Sequence, residues 1–339
     1  MKKKLILIAL ISILALLVII ILKELILNYS YKSITNMSLE KNGLIDYYFD
    51  LRYKLKRKYI LDNNDIALYY ENGKYYYHPV YIIQYGIAHY QNYLYNREIK
   101  SRKIYLNVCE WLVRNLKRHG DFYYWEYDGD LKPYRYSKYN HIWFSAMAQG
   151  QGASLLIRAY LDTLDPKYFE AAKRAIKGVL YDVSEGGVSI IREYFVFPQE
   201  FPPGDKPSNV LNGAITCFLG LYDIYVLTKD ENVGKYIEMF LFTLQDNIYK
   251  FDNGFWSLYA LYPDCMLASP YYHNRHIAQL ECLYYLTKIE IFKSFSDKWR
   301  GYIKWNNKIK YLLTDYLMKV KRKEVSIKSV LKWLKGTLL

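Results

Sequence analysis

The chain is poor in cysteine and histidine, and each shortage excludes a class of site. Its 339 residues include four cysteines, none of them in a CxxC pair. Three of the four lie in apolar runs, so we interpret them as buried thiols rather than as a disulfide framework. Of six histidines, His273 and His276 are three residues apart, but no third ligand accompanies them. We therefore predict no metal site and no cofactor.

Acidic residues are also scarce relative to basic ones. Lys and Arg total 47 against 33 Asp and Glu, which gives a formal net charge of +14 at pH 7. This balance suits an anionic partner, namely nucleic acid, acidic lipid or an acidic polysaccharide. No zinc-finger, helix-turn-helix or P-loop pattern accompanies the charge, so nucleic acid is not the expected partner. The 40 tyrosines supply flat faces with a hydroxyl group, which suit sugars as well as ordinary packing.

A long apolar run lies near the N-terminus. Three lysines precede 18 uncharged residues from Leu5 to Leu22, and about 20 apolar residues span a bilayer. No small-residue cleavage site follows, so residues 1–28 are predicted to be a transmembrane signal anchor. The lysine cluster predicts a cytoplasmic N-terminus. The expected localisation is that of a single-pass membrane protein with its main domain outside the cytoplasm.

The C-terminal residues 319–339 are strongly basic. Apolar residues recur among their lysines at helical spacing, namely Val325, Val330, Leu331, Leu334 and Leu338. The pattern predicts a basic amphipathic helix. Such a helix either lies on an anionic membrane surface or packs on the domain with its lysines in water.

Four stretches between these ends share one design, in which a helix ends near a tyrosine and a short turn leads to a second, amphipathic helix. The second helices are predicted at residues 99–116, 166–180, 232–244 and 291–303. A helix pair cannot bury its apolar face alone, so neighbouring pairs must stack. We therefore predict a mainly α fold, an α/α barrel or toroid over residues 81–318. An open solenoid is the alternative.

Long insertions follow the second helices, at residues 120–140, 181–210 and 250–275. Each begins with a turn signal and continues into an aromatic, β-rich run, so we predict β-hairpin insertions. They connect equivalent positions and should gather at one mouth of the ring, where sites are usually built. Residues 29–80 are predicted to be a linker and a short β-rich preamble, with 45–51 and 75–81 strand-like.

Residues 143–152 read Trp-Phe-Ser-Ala-Met-Ala-Gln-Gly-Gln-Gly. The run is uncharged and rich in small residues, which on composition alone indicates a closely packed helix start. The order of its residues is more specific than its composition, because it resembles the Trp-aromatic-Ser-Ala-Met-Ala-Gln-Gly-Gln run in the C-terminal domain of the glucuronyl C5-epimerase family. Those enzymes invert carbon 5 of a glucuronate residue inside a polysaccharide.

Further segments resemble the same family, in order and at compatible spacing. They include Gln-Tyr-Gly at residues 84–86, Val-Leu-Asn-Gly at 210–213 and Tyr-His-Asn-Arg-His-Ile-Ala-Gln-Leu at 272–280. The resemblance extends over roughly residues 78–305. The large β-sandwich that precedes this region in the animal enzymes is not expected here.

Inverting carbon 5 of a uronate demands particular groups. A positioned base must remove a barely acidic hydrogen, cations must neutralise charge on the carboxylate, and an acid must act on the opposite face. By the resemblance, Glu200 and Tyr272 form the acid/base pair and Tyr259 assists. Candidate substrate ligands are Tyr85, Gln149, Gln151, Asn212, His273, Arg275 and His276, of which Arg275 is suited to a sugar carboxylate.

Two departures from the family bear on activity. The family has a catalytic tyrosine directly after the glutamate, where this chain has Phe201, and Tyr194 is a candidate substitute. The family's Tyr-Asp-Leu-Arg becomes Tyr-Ala-Leu-Tyr at residues 259–262, which removes a nearby cation. The natural polymer, its sulfation and the level of activity stay open.

The leading hypothesis is an anchored epimerase that converts D-glucuronate to L-iduronate residues in an acidic polysaccharide, as in heparan sulfate biosynthesis. A lyase using the same proton abstraction is one alternative, and a glycoside hydrolase pairing Glu200 with Glu126 or Asp264 is another. A non-catalytic glycan-binding or assembly protein is the third, with Phe201 as its best argument. A homodimer is left open.

Overall fold

The computed structural model describes residues 44–131, 141–201, 207–262 and 265–321. The predicted anchor at residues 1–28, the linker up to residue 43, Asp264 and the basic segment beyond residue 321 lie outside these ranges. The predictions made for those segments therefore stay predictions.

The described chain is mostly helical, and eight of its helices form four hairpins. Each hairpin has an inner helix of 18 residues, and these are α1 (Pro79–Asn96), α3 (Ala146–Thr163), α5 (Leu211–Thr228) and α7 (Pro270–Thr287). The outer helices are α2 (Ile99–Asn115), α4 (Pro166–Lys177), α6 (Glu231–Asn247) and α8 (Glu290–Arg300). A further helix, α9 (Trp305–Lys321), follows. The repeated helix pairs predicted from the sequence are confirmed.

One turn geometry joins the two helices of every hairpin. Each inner helix is followed by a residue with left-handed backbone, and these are Arg97, Leu164, Lys229 and Lys288, with φ between 54° and 60°. In the last three hairpins a threonine stabilises the turn. Thr163 Oγ1, for example, donates to the carbonyl of Ala159 (2.7 Å) and accepts from the backbone N–H of Asp165 (3.2 Å). These bonds offset the roughly 1–2 kcal/mol that a non-glycine residue pays in this conformation.

The backbones of α3 and α5 are in contact, which only glycine permits. A Cβ on Gly150 would lie 2.5 Å from Cys217 Cα, and one on Gly220 would lie 1.9 Å from the carbonyl oxygen of Gly150. Any side chain at these positions would force the two helices apart. The small residues of the 143–152 run are thus explained by close packing, as predicted.

A short segment, residues 46–49, touches all four inner helices. Its contacts join Asp46 to Gln91 of α1 (2.9 Å), Tyr47 to Gln151 of α3 (2.9 Å), Tyr48 to Asp223 of α5 (2.5 Å) and Phe49 to Arg275 of α7 (5.5 Å, cation to ring centroid). One tetrapeptide can contact four helices only if they surround it. The hairpins therefore enclose a common centre, as a barrel requires, and this segment fills one part of it.

The segment that leads into α1 differs in part from the prediction. A three-stranded antiparallel sheet is present, formed by β1 (Ile60–Leu61), β2 (Ala67–Glu71) and β3 (Lys74–Tyr76). The strand predicted at residues 45–51 is wrong, because those residues make the irregular central segment and lead into a 310 helix at Arg52–Lys56. The strand predicted at 75–81 ends at Tyr76, since Pro79 begins α1 and His78 caps it.

Three β-hairpins lie in or beside the predicted insertions, as expected. They pair β4 (Lys117–His119) with β5 (Phe122–Tyr124), β6 (Ser189–Arg192) with β7 (Phe195–Pro198), and β8 (Leu258–Ala260) with β9 (Met266–Leu267). Within the described part of the chain, α5 is the one helix long and apolar enough to cross a membrane. Its 72% burial inside the protein is that of a core helix.

Candidate active site

A cleft of about 640 Å³ opens where the hairpin insertions meet the N-terminal ends of the inner helices. Its walls also include residues from the segment before α1 and from α9. Half of the predicted site residues line it, namely Glu200, Tyr259, Tyr272, Asn212 and Arg275. The structure thus brings the three predicted catalytic residues into one cavity.

Glu200 follows β7, and its neighbour holds the loop in place. The side chain of buried Gln199 donates to the carbonyl of Phe197 (3.0 Å) and to Asn209 Oδ1 (2.9 Å). On the other side, Gly213 allows the carboxyl group to approach α5, because a Cβ there would lie 2.3 Å from Glu200 Oε2. The position of the carboxyl group is therefore fixed by packing on both sides.

The carboxyl group of Glu200 is shielded from water, although the residue as a whole is half-buried. Its Oε1 accepts a hydrogen bond from the Tyr259 hydroxyl (3.3 Å), while Oε2 has no partner among the described residues. Burial raises the pKa of Glu200 to about 7, against the opposing effects of the Tyr259 bond and the Arg275 charge. A carboxyl group with this pKa can take up and release a proton near neutral pH.

Two tyrosines, Tyr259 and Tyr272, lie next to each other beside Glu200. Tyr259 lies in β8, and Tyr272 lies in the first turn of α7, where Ser269 accepts from its backbone N–H (3.3 Å). The two ring centroids are 4.7 Å apart. Burial, followed by the charge of Glu200, raises the pKa of both phenols above the ordinary value. Both therefore stay protonated at neutral pH and are placed to donate protons.

Arg275 lies one turn further along α7 and is 1% exposed. Its Nη2 donates to Thr216 Oγ1 (3.3 Å). Tyr271 lies four residues before it and also lines the cleft, with its hydroxyl 2.9 Å from that of Tyr53. Burial acts to raise the pKa of Tyr271, but the charges of Arg275 and Lys54 and the hydrogen bonds of Tyr53 and Arg275 together lower it. Sequence reasoning missed Tyr271, although its i,i+4 spacing to Arg275 was a readable signal.

Gln149 and Gln151 do not line the cleft, which corrects the prediction that they bind substrate directly. The amide of Gln149 donates to the carbonyls of Tyr123 (2.9 Å) and Ala175 (2.8 Å), so it ties a hairpin to the helices. The amide of Gln151 donates to the Tyr47 hydroxyl (2.9 Å). Both side chains are fully buried, and their polar groups stabilise the fold.

His273, His276 and Tyr85 are also absent from the cleft wall, which corrects the prediction for all three. His273 stacks on Trp256 with centroids 3.8 Å apart, and both histidines contact Ser257 Oγ (2.8 and 2.9 Å). Burial lowers the pKa of His273 to about 4 and holds that of His276 well below its ordinary value, so both are neutral packing groups. Tyr85 is 3% exposed and packs behind the wall.

Several cleft residues were missed because they come from distant parts of the chain. Tyr127 and Trp143 form a stacked pair with centroids 3.9 Å apart, with Tyr127 in the first insertion and Trp143 just before α3. Lys54 and Arg57 come from the 310 helix and the residue after it. The run of basic residues at 52–58 was visible in the sequence, but nothing local indicated which of them face a cavity.

Phe201 lines the cleft beside Trp143, with centroids 5.9 Å apart. The predicted substitute for its missing hydroxyl is wrong, because Tyr194 lies in the β6–β7 turn and is 72% exposed. The hydrolase partner Glu126 is also outside the cleft, where it pairs with Lys117 (2.5 Å) and His119 (2.8 Å). Within the described ranges, no three His, Cys, Asp or Glu side chains are grouped as a metal site.

These features define a class of protein: a mostly helical ring of hairpins with a cationic cleft that holds a buried carboxyl group beside phenols. Residues 119–301 match the family described as D-glucuronyl C5-epimerase C-terminus. Because the match covers more than half of the chain, the chain belongs to this family.

One similar protein is the D-glucuronyl C5-epimerase of Caenorhabditis elegans, which is 32% identical over 181 residues. That alignment covers 47% of this chain and 29% of the worm protein, so less than a third of the relative is matched. Two solved structures are similar to this chain, each at 12% identity. They are a glycoside hydrolase family 76 mannosidase from Bacteroides thetaiotaomicron and an unsaturated glucuronyl hydrolase from Bacillus sp. GL1. Their TM-scores are 0.43 and 0.40, over 71% and 72% of this chain and 63% of each of theirs.

Proposed function

We propose that this protein epimerises carbon 5 of uronate residues in an acidic polysaccharide, converting D-glucuronate to L-iduronate. The observation that carries the proposal is the buried carboxyl group of Glu200, whose pKa is raised to about 7 and which lies in one cleft with two protonated phenols. Membership of the epimerase family supports the same reaction.

In the proposed mechanism the ionised carboxylate of Glu200 removes hydrogen 5 as a proton. The electron pair of the broken C–H bond moves into the uronate carboxylate, whose extra charge is stabilised by the Arg275 guanidinium. Tyr272 then returns a proton to carbon 5 from the other side, and Glu200 keeps the proton it has taken. Exchange with water restores both groups. Tyr259 donates to Glu200 (3.3 Å) and orients its carboxylate.

The walls of the cleft suit a sugar chain with negative charge. Asn212 Oδ1 and Glu200 Oε2 are buried acceptors with no partner among the described residues, so the hydroxyl groups of a sugar can donate to them. The faces of Tyr81 and of the Tyr127–Trp143 pair supply flat apolar surface.

The test is hydrogen exchange in deuterated water. The full chain is incubated with a non-sulfated glucuronate polymer of the heparosan type, and deuterium at carbon 5 is measured by NMR. We expect exchange in the wild type, none in Glu200→Gln and at least 100-fold less in Tyr272→Phe, with binding of the polymer retained in both variants. An ultraviolet-absorbing unsaturated sugar would indicate a lyase instead. Binding without exchange on any uronate polymer would favour the non-catalytic alternative, for which Phe201 is the specific observation.

We propose in addition that residues 1–28 anchor the protein in a membrane with the cleft outside the cytoplasm. The uncharged run from Leu5 to Leu22 after three lysines supports this. Protease added to intact cells should then degrade the cleft domain, whereas protection of that domain would refute the orientation.

A further inference from the structure

The 310 helix before the three-stranded sheet contains a lysine, Lys54, that lines the cleft. Lys54 lies in the turn Arg52–Lys56, where its backbone N–H donates to the Leu51 carbonyl (2.9 Å) and its carbonyl accepts from the Arg57 N–H (3.0 Å). The turn is fixed to the barrel, because the backbone N–H of Leu51 donates to Gln91 Oε1 (2.8 Å). Lys54 lines the cleft together with Arg57, Tyr271 and Arg275.

Lys54 is a buried cation without an acidic partner in the described part of the chain. It is 8% exposed, and none of the ion pairs formed by the described residues includes it. Arg158, another buried cation, shows how this protein otherwise treats such a group. Its guanidinium pairs with Asp223 at 2.7 Å, and both side chains are 0% exposed. A buried charge without a counter-charge is costly, and such costs are typical of functional sites.

The charge of the cleft leaves room for an anion. Its described lining includes four cationic side chains, Lys54, Arg57, Arg275 and Lys319, and two carboxyl groups. One of these carboxyl groups, Asp315, is already paired with Lys319 (2.6 Å). The other is Glu200. The described lining of the cleft therefore carries two more cationic side chains than carboxyl groups.

The pKa of Lys54 is consistent with an anion-binding site in this part of the cleft. Burial lowers the pKa of Lys54 to about 8, and the charges of Arg57 and Arg275 act in the same direction, while Tyr271 opposes them. An anion bound beside the ammonium group would raise this pKa again. Binding of such an anion should consequently be strongest below pH 8 and weaken as the pH rises above it.

We propose that Lys54 and Arg275 form a carboxylate subsite that holds the carboxyl group of the reacting uronate and turns carbon 5 toward Glu200. The ligand identity rests on the proposed function, whereas the subsite itself rests on buried Lys54, which has no acidic partner among the described residues. Lys54 precedes the family-matched residues 119–301, so the segment before the barrel completes a site that the family domain holds only in part. In this subsite two cations counter the charge that grows on the carboxylate during proton abstraction.

The test compares Lys54→Met with Lys56→Met in the full chain. Lys56 lies in the same turn, is exposed and does not line the cleft, so it is a matched control for net charge. Affinity for a heparosan oligosaccharide is measured by calorimetry at one fixed salt concentration. We expect Lys54→Met to weaken binding about 10-fold or more, since one charge-assisted contact is lost, and Lys56→Met to change it less than about 2-fold.

Two further arms keep the result interpretable. A carboxyl-reduced oligosaccharide should bind Lys54→Met and the wild type equally, because it lacks the group that Lys54 recognises. Lys54→Arg keeps the charge at all accessible pH values, so its affinity should not fall between pH 8 and 9.5, where that of the wild type does. Thermal unfolding of Lys54→Met should occur at or above the wild-type temperature, because a buried charge that has no acidic partner among the described residues is removed.

The outcomes separate this inference from the proposed function. Exchange at carbon 5 with unchanged affinity and unchanged KM in Lys54→Met would overturn the subsite and leave the epimerase proposal intact. Lys54-dependent binding of the uronate without any exchange would support the subsite and count against the epimerase. A large loss of thermal stability in Lys54→Met would show that Lys54 has a structural partner and would also overturn the inference.

Discussion

Replacing Glu200 with glutamine should stabilise the protein above neutral pH while it abolishes exchange at carbon 5. The pKa of Glu200 is about 7 in the folded chain against an ordinary value of 4.5. The folded state therefore binds the proton more tightly than the unfolded state, so stability falls as the pH rises from about 4.5 through 7. Glutamine has the shape of the neutral carboxyl group and does not ionise.

The magnitude follows from the difference of about 2.5 pKa units, at about 1.4 kcal/mol for each unit. At pH 8 the ionised Glu200 of the wild type lowers the free energy of unfolding by up to about 3 kcal/mol. This corresponds to a decrease of roughly 5 °C in Tm for a chain of this length. Since one edge of the side chain faces the cleft, this is the upper end of the effect. At pH 4.5 the two proteins should unfold at nearly the same temperature.

The assay is thermal unfolding of the wild type and Glu200→Gln at half-unit steps from pH 4.5 to 8.5. Glu193→Gln, an exposed position on the same hairpin, is the control and should show no difference that grows with pH. A Tm difference that stays constant over the range, or a less stable Glu200→Gln at pH 8, would refute the argument that burial raises this pKa.

Three further substitutions test the site and the barrel. Tyr272→Phe should lower exchange at least 100-fold and leave the Kd for the polymer within about 3-fold, because it removes a proton donor and little contact area; a large change in Kd alone would contradict this role. Gly213→Ala places a Cβ 2.3 Å from Glu200 Oε2, so kcat should fall by about 100-fold through displacement of the carboxyl group, and unchanged kcat would show that this position is not critical. Gly220→Ala places a Cβ 1.9 Å from the carbonyl oxygen of Gly150 and should destabilise the fold by about 1–3 kcal/mol in denaturant unfolding, whereas an unchanged midpoint would mean that the helices can separate freely.

Much of the candidate site could be predicted because its candidate catalytic residues lie in recognisable sequence motifs. Glu200, Tyr259 and Tyr272 each match a family motif, and all three line one cleft. The amide ligands could not be sorted in the same way. Asn212 reaches the cleft, whereas Gln149 turns toward the carbonyls of Tyr123 and Ala175. Residue type and spacing are similar in the two cases, and only the packing of neighbouring elements decides which way the amide points.

The sequence by itself determined the helix hairpins and the family. Helical periodicity, the Thr turns and the glycines at the α3–α5 contact act over a few residues, so their effects are readable locally. Only the tertiary structure decided how the ring is filled and how the cleft is charged. The contacts of residues 46–49 with four helices, and the Tyr53–Tyr271 bond across 218 positions, bring Lys54 and Arg275 to the same cleft. Such contacts depend on the closure of the whole ring, which no local pattern specifies.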